Sequence, residues 1–197
     1  MRPLTDVLPK TLLPVAGRAF AWHQMHWLAA QGIDDVVYCI AHQGEQIRQY
    51  WATQPAPVRS LRYVDEGAEL RGTGGALRLA LDERVLDESF FVLYGDSFLP
   101  VGFAPVWSAF EASGSPALMT VLKNQGRWDR SNVIYDGGRV RLYTVPSSAQ
   151  TADKAVSSSW STPSASLISF ARPICSRRKA DSTASRAPKF ATEPFSA

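Results

Sequence analysis

The chain has 197 residues, of which 45% are hydrophobic and 11% aromatic, which is typical of a globular protein with room for one buried core. Its net charge of +3 comes from residues 144–197, which hold seven Lys or Arg against three Asp or Glu; residues 1–143 sum to −1 and lack the basic surface that nucleic-acid binding needs. The two cysteines predict no disulfide framework, no apolar run could span a membrane, and no signal-peptide core is evident. We therefore expect a cytoplasmic protein that binds neither nucleic acid nor membrane.

The first distinctive stretch is the proline-rich segment Arg2–Arg18, RPLTDVLPKTLLPVAGR. Pro3, Pro9 and Pro14 each fix φ and remove a backbone donor, so we predict a stiff, extended loop rather than a helix or a central strand. Lys10 stands between Pro9 and an apolar run, and a lysine on a rigid backbone is suited to bind a phosphate as a point charge. From spacing alone, an ordinary solvated lysine remains the alternative.

Alternating helices and strands are predicted next. Ala19–Gln31 has helical apolar spacing and is followed by Gly32, a good C-terminal cap. Val36–Ile40 is a short apolar run, typical of a strand buried on both faces of a parallel sheet. Glu45–Trp51 and Leu61–Val64 predict a second helix and a second strand.

The three histidines suggest no metal site. His23 and His26 lie three residues apart, but no third ligand is near them in sequence, so packed or surface roles are favoured. His42 follows the predicted strand, where it could either approach a ligand or cap the turn.

A glycine-rich turn, Gly72–Gly75, lies between a predicted strand and a predicted helix Ala76–Leu81. Glycines at a helix N-terminus let backbone N–H groups approach an anion or the polar edge of a base. The pattern differs from the G-x-G-x-x-G fingerprint of dinucleotide-binding proteins, and a plain strand–helix turn is the alternative.

The stretch Phe90–Ser97, FFVLYGDS, predicts a buried strand with Asp96 just after its carboxyl end. A single carboxylate at the tip of a central strand is well placed to hold Mg²⁺ against a triphosphate. The alternative is an aspartate that only stabilises a turn.

The remaining sequence divides at Tyr143. Before it we predict a helix at Val106–Ala112, a strand at Ala117–Lys123, and a hairpin whose strands flank Asp136–Gly138. Residues 144–197 contain thirteen serines, ten alanines and no glycine, without helical or strand periodicity, so we predict a largely disordered tail. The predicted organisation is thus a partial domain at 1–143 and a low-complexity segment at 144–197. A shift of the coding frame near Thr144 would explain the composition of that segment.

Three of these stretches, in this order, resemble the sugar-1-phosphate nucleotidyltransferase family. That family's opening motif reads roughly G-G-x-G-T-R-L-x-P-L-T-x-x-x-P-K-x-L-x-P-V-x-G, and its second half is matched here by Arg2–Thr5, Pro9–Lys10, Leu13–Val15 and Gly17. The glycine-rich turn is similar to the family's L-G-T-x-G-A-L motif, and Gly95–Asp96 to its G-D motif. The resemblance covers about residues 2–143.

The resemblance implies an α/β, three-layer, Rossmann-like nucleotidyltransferase fold with a mostly parallel, incomplete sheet. It implies a Mg²⁺-dependent enzyme that transfers an NMP group from an NTP to a sugar 1-phosphate and releases pyrophosphate. By the same resemblance Lys10 is assigned to the phosphates and Asp96 to the metal as catalytic residues. The nucleotide-binding residues, in addition to Lys10, would be those of the turn and the acidic residue before it: Glu66, Thr73, Gly74 and Gly75.

The chain departs from the family motif in its first half, because the glycine-rich loop and its arginine have no counterpart before Arg2. Met1 is therefore expected to be an internal position of the family sequence. We expect the 197-residue chain to show very low or no nucleotidyltransferase activity and poor solubility, with central strands left unpaired. An inactive remnant, a non-catalytic nucleotide or sugar-phosphate-binding domain, and an interaction subunit remain the alternatives; the oligomeric state is open.

Overall fold

A computed structural model of the chain describes residues 4–68, 71–123, 133–143, 168–171 and 189–193. The described residues form two compact units, one made by residues 4–118, 168–171 and 189–193 and the other by residues 119–123 and 133–143. Residues 1–3 lie outside the described residues, and they include Arg2 and Pro3, the first two matched residues of the family motif.

The first unit contains five helices and eight strands among its described residues. The helices are α1 (Leu4–Val7), α2 (Phe20–Ala30), α3 (Gly44–Thr53), α4 (Gly72–Asp82) and α5 (Phe103–Ser113), with a 3-10 turn at Lys10–Leu12. The strands are β1 (Pro14–Val15), β2 (Arg18–Ala19), β3 (Asp35–Ile40), β4 (Ser60–Asp65), β5 (Phe90–Tyr94) and β6 (Ala117–Met119), which ends at the boundary of the unit, then β9 (Ile168–Ala171) and β10 (Lys189–Glu193). The hairpin strands β7 (Val133–Asp136) and β8 (Arg139–Tyr143) belong to the second unit.

A six-stranded sheet forms the centre of the first unit, with the strand order β4-β3-β10-β5-β9-β6. Strand β3 pairs parallel with β4 along their whole length, from Asp35 opposite Ser60 to Ile40 opposite Asp65. Strand β10 is parallel to both β3 and β5, whereas β9 is antiparallel to β5. The prediction of a mostly parallel α/β sheet is therefore confirmed.

Helices cover both faces of the sheet, which gives the predicted three layers. Alternate residues of a strand point to opposite faces. Accordingly Val36, Tyr38 and Ile40 pack in a core with α2, α3 and α5, whereas Val37 and Cys39 pack against α4 on the other face. Every residue of β3 is buried for this reason.

The prediction of an extended loop without helix is wrong for part of the proline-rich segment, which contains helix α1 at Leu4–Val7 and a 3-10 turn at Lys10–Leu12.

Three predicted boundaries also differ from the structure. Strand β6 ends at Met119 rather than Lys123. Helix α4 begins at Gly72 rather than Ala76, so the four residues predicted as a turn form the first turn of the helix. Helix α5 begins at Phe103 rather than Val106, because a proline, here Pro105, is tolerated in the first turn, where backbone N–H groups have no helical partner.

Two strands lie in the segment that was predicted to be a tail. These are the nine residues of β9 and β10, and the prediction that the segment as a whole is largely disordered stays a prediction. The expectation of unpaired central strands is wrong for β3 and β5, since β10 pairs with Val36–Tyr38 on one side and with Phe90–Tyr94 on the other. The rest of residues 144–197 lies outside the described part, and the division at Tyr143 stays a prediction.

Candidate functional site

The carboxyl ends of β3, β4 and β5 meet at one edge of the sheet, where open α/β folds bind their ligands. The chain leaves β3 toward α3 and leaves β4 toward α4, and these two helices cover opposite faces. The backbone N–H of Glu66, the first residue after β4, donates to the carbonyl of Ile40 at the end of β3 (2.8 Å). Residues that follow these strands are therefore neighbours at this edge.

Asp96 lies in a tight turn directly after β5. The Ser97 N–H donates to the Tyr94 carbonyl (3.1 Å), which leaves Gly95 and Asp96 as the two central residues of the turn. The Asp96 side chain is exposed, as a carboxylate that binds a cation from solvent must be. Asp96 therefore lies just after the carboxyl end of a buried strand, as the sequence predicted, while its role as a metal ligand stays a prediction.

A buried glutamine of α2 supports this turn. The side-chain amide nitrogen of Gln24 donates to the carbonyls of both Tyr94 (2.9 Å) and Ser97 (2.8 Å). No function was predicted for Gln24 from the sequence. A polar residue on the apolar face of a predicted helix was the available indication, but the sequence does not reveal its partners.

Glu66 is buried, with 7% of its surface exposed. One of its carboxylate oxygens accepts a hydrogen bond from the Arg71 N–H (3.2 Å), the residue that precedes α4. Next to it, an Asp65 carboxylate oxygen accepts a hydrogen bond from the Gly67 N–H (2.9 Å). Glu66 therefore holds the entry to α4, and the predicted contact with a nucleobase stays a prediction.

The first turn of α4 contains the remaining predicted nucleotide-binding residues. Gly72 adopts φ +64, a left-handed conformation that favours glycine. Thr73 and Gly74 are exposed, and a Cβ at Gly74 would meet nothing within 4 Å, so the backbone here is open to a ligand. A Cβ at Gly75 would instead lie 2.5 Å from the Arg71 Cβ, which excludes a side chain at that position without movement. The side chain of the N-cap residue Arg71 makes no capping hydrogen bond to this helix.

Lys10 begins the 3-10 turn, whose backbone is fixed by hydrogen bonds from Leu12 N–H to the Pro9 carbonyl (2.8 Å) and from Leu13 N–H to the Lys10 carbonyl (3.1 Å). The preceding helix α1 is tied to the start of α3. There the side-chain amides of Gln43 and Gln46 donate to the Asp6 and Val7 carbonyls (3.1 Å each). The segment that leads to Lys10 therefore passes the carboxyl end of β3, just before α3. Lys10 itself is partly exposed.

Thr11, next to Lys10, is buried beside Tyr38 of β3 and Trp51 of α3. Burial raises the pKa of Tyr38 to about 12, and the neighbouring Thr11 hydroxyl and Trp51 indole oppose this only in part. The three polar atoms are close, but none of them reaches standard hydrogen-bond geometry with a partner in the described residues. The packing of the Lys10 segment thus depends on a buried, neutral tyrosine.

The donors available for a metal are few. Within the described part of the chain, no group of three or more His, Cys, Asp or Glu side chains could enclose a cation. The His23 ring nitrogen Nε2 lies 2.8 Å from the Val15 carbonyl, and the His26 Nδ1 lies 2.8 Å from the Trp22 carbonyl, so both rings bond to backbone. An exposed carboxylate such as Asp96 fits a magnesium ion that takes its other ligands from substrate phosphates and water.

The fold and this edge define the class: an α/β protein with a mostly parallel sheet, whose parallel strands end together at one edge. The model of the nucleotidyl transferase family matches residues 1–130, and the chain belongs to this family. The structure is similar to that of HddC from Yersinia pseudotuberculosis complexed with GMP-PN (TM-score 0.63, 16% identity, 86% of this chain and 69% of that chain). This likeness confirms the predicted Rossmann-like nucleotidyltransferase fold.

Two curated relatives carry names of sugar-1-phosphate nucleotidyltransferases. A mannose-1-phosphate guanyltransferase of Neurospora crassa is 31% identical over 124 residues, which cover 62% of this chain and 34% of the relative. A glucose-1-phosphate cytidylyltransferase of Salmonella typhi is 24% identical over 160 residues, covering 71% of this chain and 61% of the relative. The chain therefore spans about a third to three-fifths of the length of these relatives. Among the described helices, none has the length and hydropathy that crossing a membrane would require.

Proposed function

We propose that the protein is a Mg²⁺-dependent nucleotidyltransferase that transfers an NMP group from an NTP to a sugar 1-phosphate. The observation that supports this most is the Tyr94–Ser97 turn, which presents the exposed Asp96 carboxylate at the sheet edge where α4 also begins. The names of the two curated relatives support the substrate class. Because NTPs are made and used in the cytoplasm, we expect the protein to act there.

In this proposal the chain supplies binding, orientation and charge. Asp96 holds the magnesium ion, which when bound neutralises phosphate charge and polarises the reacting phosphoryl group. Lys10 binds the phosphates as a point charge from a fixed backbone. The N–H groups at Thr73 and Gly74 bind a polar edge of the base, while Glu66 fixes the loop that leads to them.

The proposed reaction is one displacement at phosphorus. A phosphate oxygen of the sugar 1-phosphate forms a bond to the α-phosphorus of the NTP, and the bond from that phosphorus to the bridging oxygen breaks. Pyrophosphate leaves with the electron pair of the broken bond, so no external oxidant or reductant is needed. Catalysis then rests on alignment and on charge stabilisation rather than on a covalent enzyme intermediate.

The test is pyrophosphate release by the full chain, measured over a panel of NTPs and hexose 1-phosphates with and without Mg²⁺. Asp96→Asn keeps the size of the side chain and removes its charge, and we expect turnover to fall by about 10²–10³-fold, the loss typical of one preorganised charge-stabilising group. Asp136→Asn, a change in the hairpin of the second unit, is the matched control and should leave turnover unchanged.

Magnesium-dependent release that survives in Asp96→Asn would remove Asp96 from the site. Saturable nucleotide binding by the wild-type chain without any release would support the non-catalytic binding domain instead. The same assay measures the very low or absent turnover that the sequence predicts for this chain.

A further inference from the structure

Gln24 is one of the most deeply buried polar side chains that the structure describes, with 1% of its surface exposed in the middle of α2. Its amide nitrogen uses both hydrogens, one on the Tyr94 carbonyl and one on the Ser97 carbonyl. The assignment of the amide is determined by these partners, because two carbonyl oxygens cannot accept from a third oxygen.

The two carbonyls are the first and last of the turn that presents Asp96. The Tyr94 carbonyl also accepts from the Ser97 N–H, so it is shared between the hydrogen bond of the turn and the Gln24 amide. One side chain thus joins both ends of a four-residue turn and fixes it to α2. This arrangement limits the positions that the two central residues, Gly95 and Asp96, can adopt.

Packing alone does not account for a glutamine here. Its carbonyl oxygen is buried and has no hydrogen-bond partner within the described residues, which opposes folding. A methionine of similar length would fill the same volume in an otherwise apolar helix face without that penalty. What the glutamine adds is control over the turn.

We propose that Gln24 is a positioning residue for metal and nucleotide binding, acting through the backbone of Tyr94 and Ser97 to aim the Asp96 carboxylate. This inference rests on the proposed function, in which Asp96 binds the metal. Gln24 itself contacts neither metal nor substrate. Its loss should leave the core packed while Asp96 samples orientations that bind a cation poorly.

The test compares Gln24→Met with Gln31→Met in the full chain. Gln31, at the end of the same helix, also bonds to backbone through its side chain, since its amide oxygen accepts from the Phe103 N–H (3.0 Å), but it does not touch the Asp96 turn. Binding of Mn²⁺ in the presence of a non-hydrolysable NTP analogue is measured by electron paramagnetic resonance, alongside the thermal unfolding midpoint. The binding measurement does not depend on turnover.

We expect Gln24→Met to raise the Mn²⁺ dissociation constant by about tenfold or more, as for other groups that orient a metal ligand, with Gln31→Met unchanged within about twofold. Gln24→Asn keeps an amide on a shorter side chain; it is the second variant if Gln24→Met does not fold, and should weaken Mn²⁺ binding by a similar factor. The Mg²⁺ concentration for half-maximal turnover should rise in parallel, with the KM for sugar 1-phosphate unchanged.

Suppose that Asp96→Asn abolishes Mn²⁺ binding but folded Gln24 variants bind Mn²⁺ as tightly as Gln31→Met does. This result would overturn the positioning role of Gln24 and leave the role of Asp96 in the proposed function intact. Equal Mn²⁺ binding by the wild type and Asp96→Asn would overturn both this inference and the role of Asp96 in the proposed function. The Asp96 variant therefore separates the two failures.

Discussion

Raising the pH above 10 should lower the free energy of unfolding, because it favours ionisation of Tyr38, which packs beside the segment that presents Lys10. Tyr38→Phe should reduce this loss of stability. Tyr38 is buried between Thr11 and Trp51, and burial raises its pKa from the ordinary 10.0 to about 12. Phenylalanine has the same shape without the ionisable hydroxyl. The substitution therefore isolates the cost of ionising this one side chain.

The direction of the effect follows from proton linkage. Between pH 10 and 12 the tyrosine of the unfolded chain loses its proton while the folded chain keeps it, so stability falls as the pH rises. Each pKa unit corresponds to about 1.4 kcal/mol, so the difference between 10.0 and about 12 amounts to about 2–3 kcal/mol lost by pH 12. That is a large share of the free energy of unfolding of a whole domain, which is typically about 5–15 kcal/mol.

The assay is urea unfolding of the wild type and Tyr38→Phe at pH 8, 10 and 11.5. At pH 8 the two should agree within about 1 kcal/mol, because the hydroxyl makes no well-formed hydrogen bond. At pH 11.5 the variant should be the more stable protein. Tyr63→Phe is the matched control, since Tyr63 is half-buried and its pKa is also raised by burial, but the nearby Arg48 lowers it in part. Equal pH dependence of the wild type and Tyr38→Phe would refute the argument.

Two further predictions concern the start of α4 and the central strand β10. Gly75→Ala places a Cβ 2.5 Å from the Arg71 Cβ and should lower stability by about 1–3 kcal/mol in urea unfolding. Gly74→Ala, where the added Cβ has open space, should leave the free energy of unfolding unchanged or raise it by about 0.5–1 kcal/mol. Equal losses of stability at both positions would contradict this difference in the space around the two glycines. Ala191→Pro, in a strand paired on both sides, should cost about 3 kcal/mol or more, whereas Ala191→Gly should cost under about 1 kcal/mol; a tolerated proline would show that β10 does not lie between β3 and β5.

Much of the sheet could be predicted from local sequence because its strands are apolar runs bounded by turn residues. The runs Val36–Ile40 and Phe90–Tyr94 are buried on both faces in the structure, and burial on both faces is what makes a strand continuously apolar. The local sequence indicated Lys10 and Asp96 as candidates, but only the family motifs favoured them over an ordinary loop lysine and an ordinary turn aspartate.

The features that sequence did not predict depend on contacts between distant segments. Strand β10 has no periodicity of its own, and its regular structure comes from parallel partners on both sides. Helix α4 starts at Gly72 although glycine has a low helix propensity, and the bond from Arg71 N–H to Glu66 fixes the chain just before that start. The partners of Gln24 lie about seventy residues away, so no local pattern could reveal them.

The position of β10 has a consequence for how the chain folds during synthesis. Val36 pairs with Phe190 and Phe91 pairs with the same residue on its other side, so the two halves of the sheet are joined by residues made long after both. The unit β3-α3-β4 is built from neighbouring segments, whereas β10 can join β3 to β5 only after residue 190 has left the ribosome. Such non-local pairing makes folding slow, and the waiting strand edges are open to other chains in the meantime. The yield of native protein should therefore depend on translation speed and on chaperones that shield those edges.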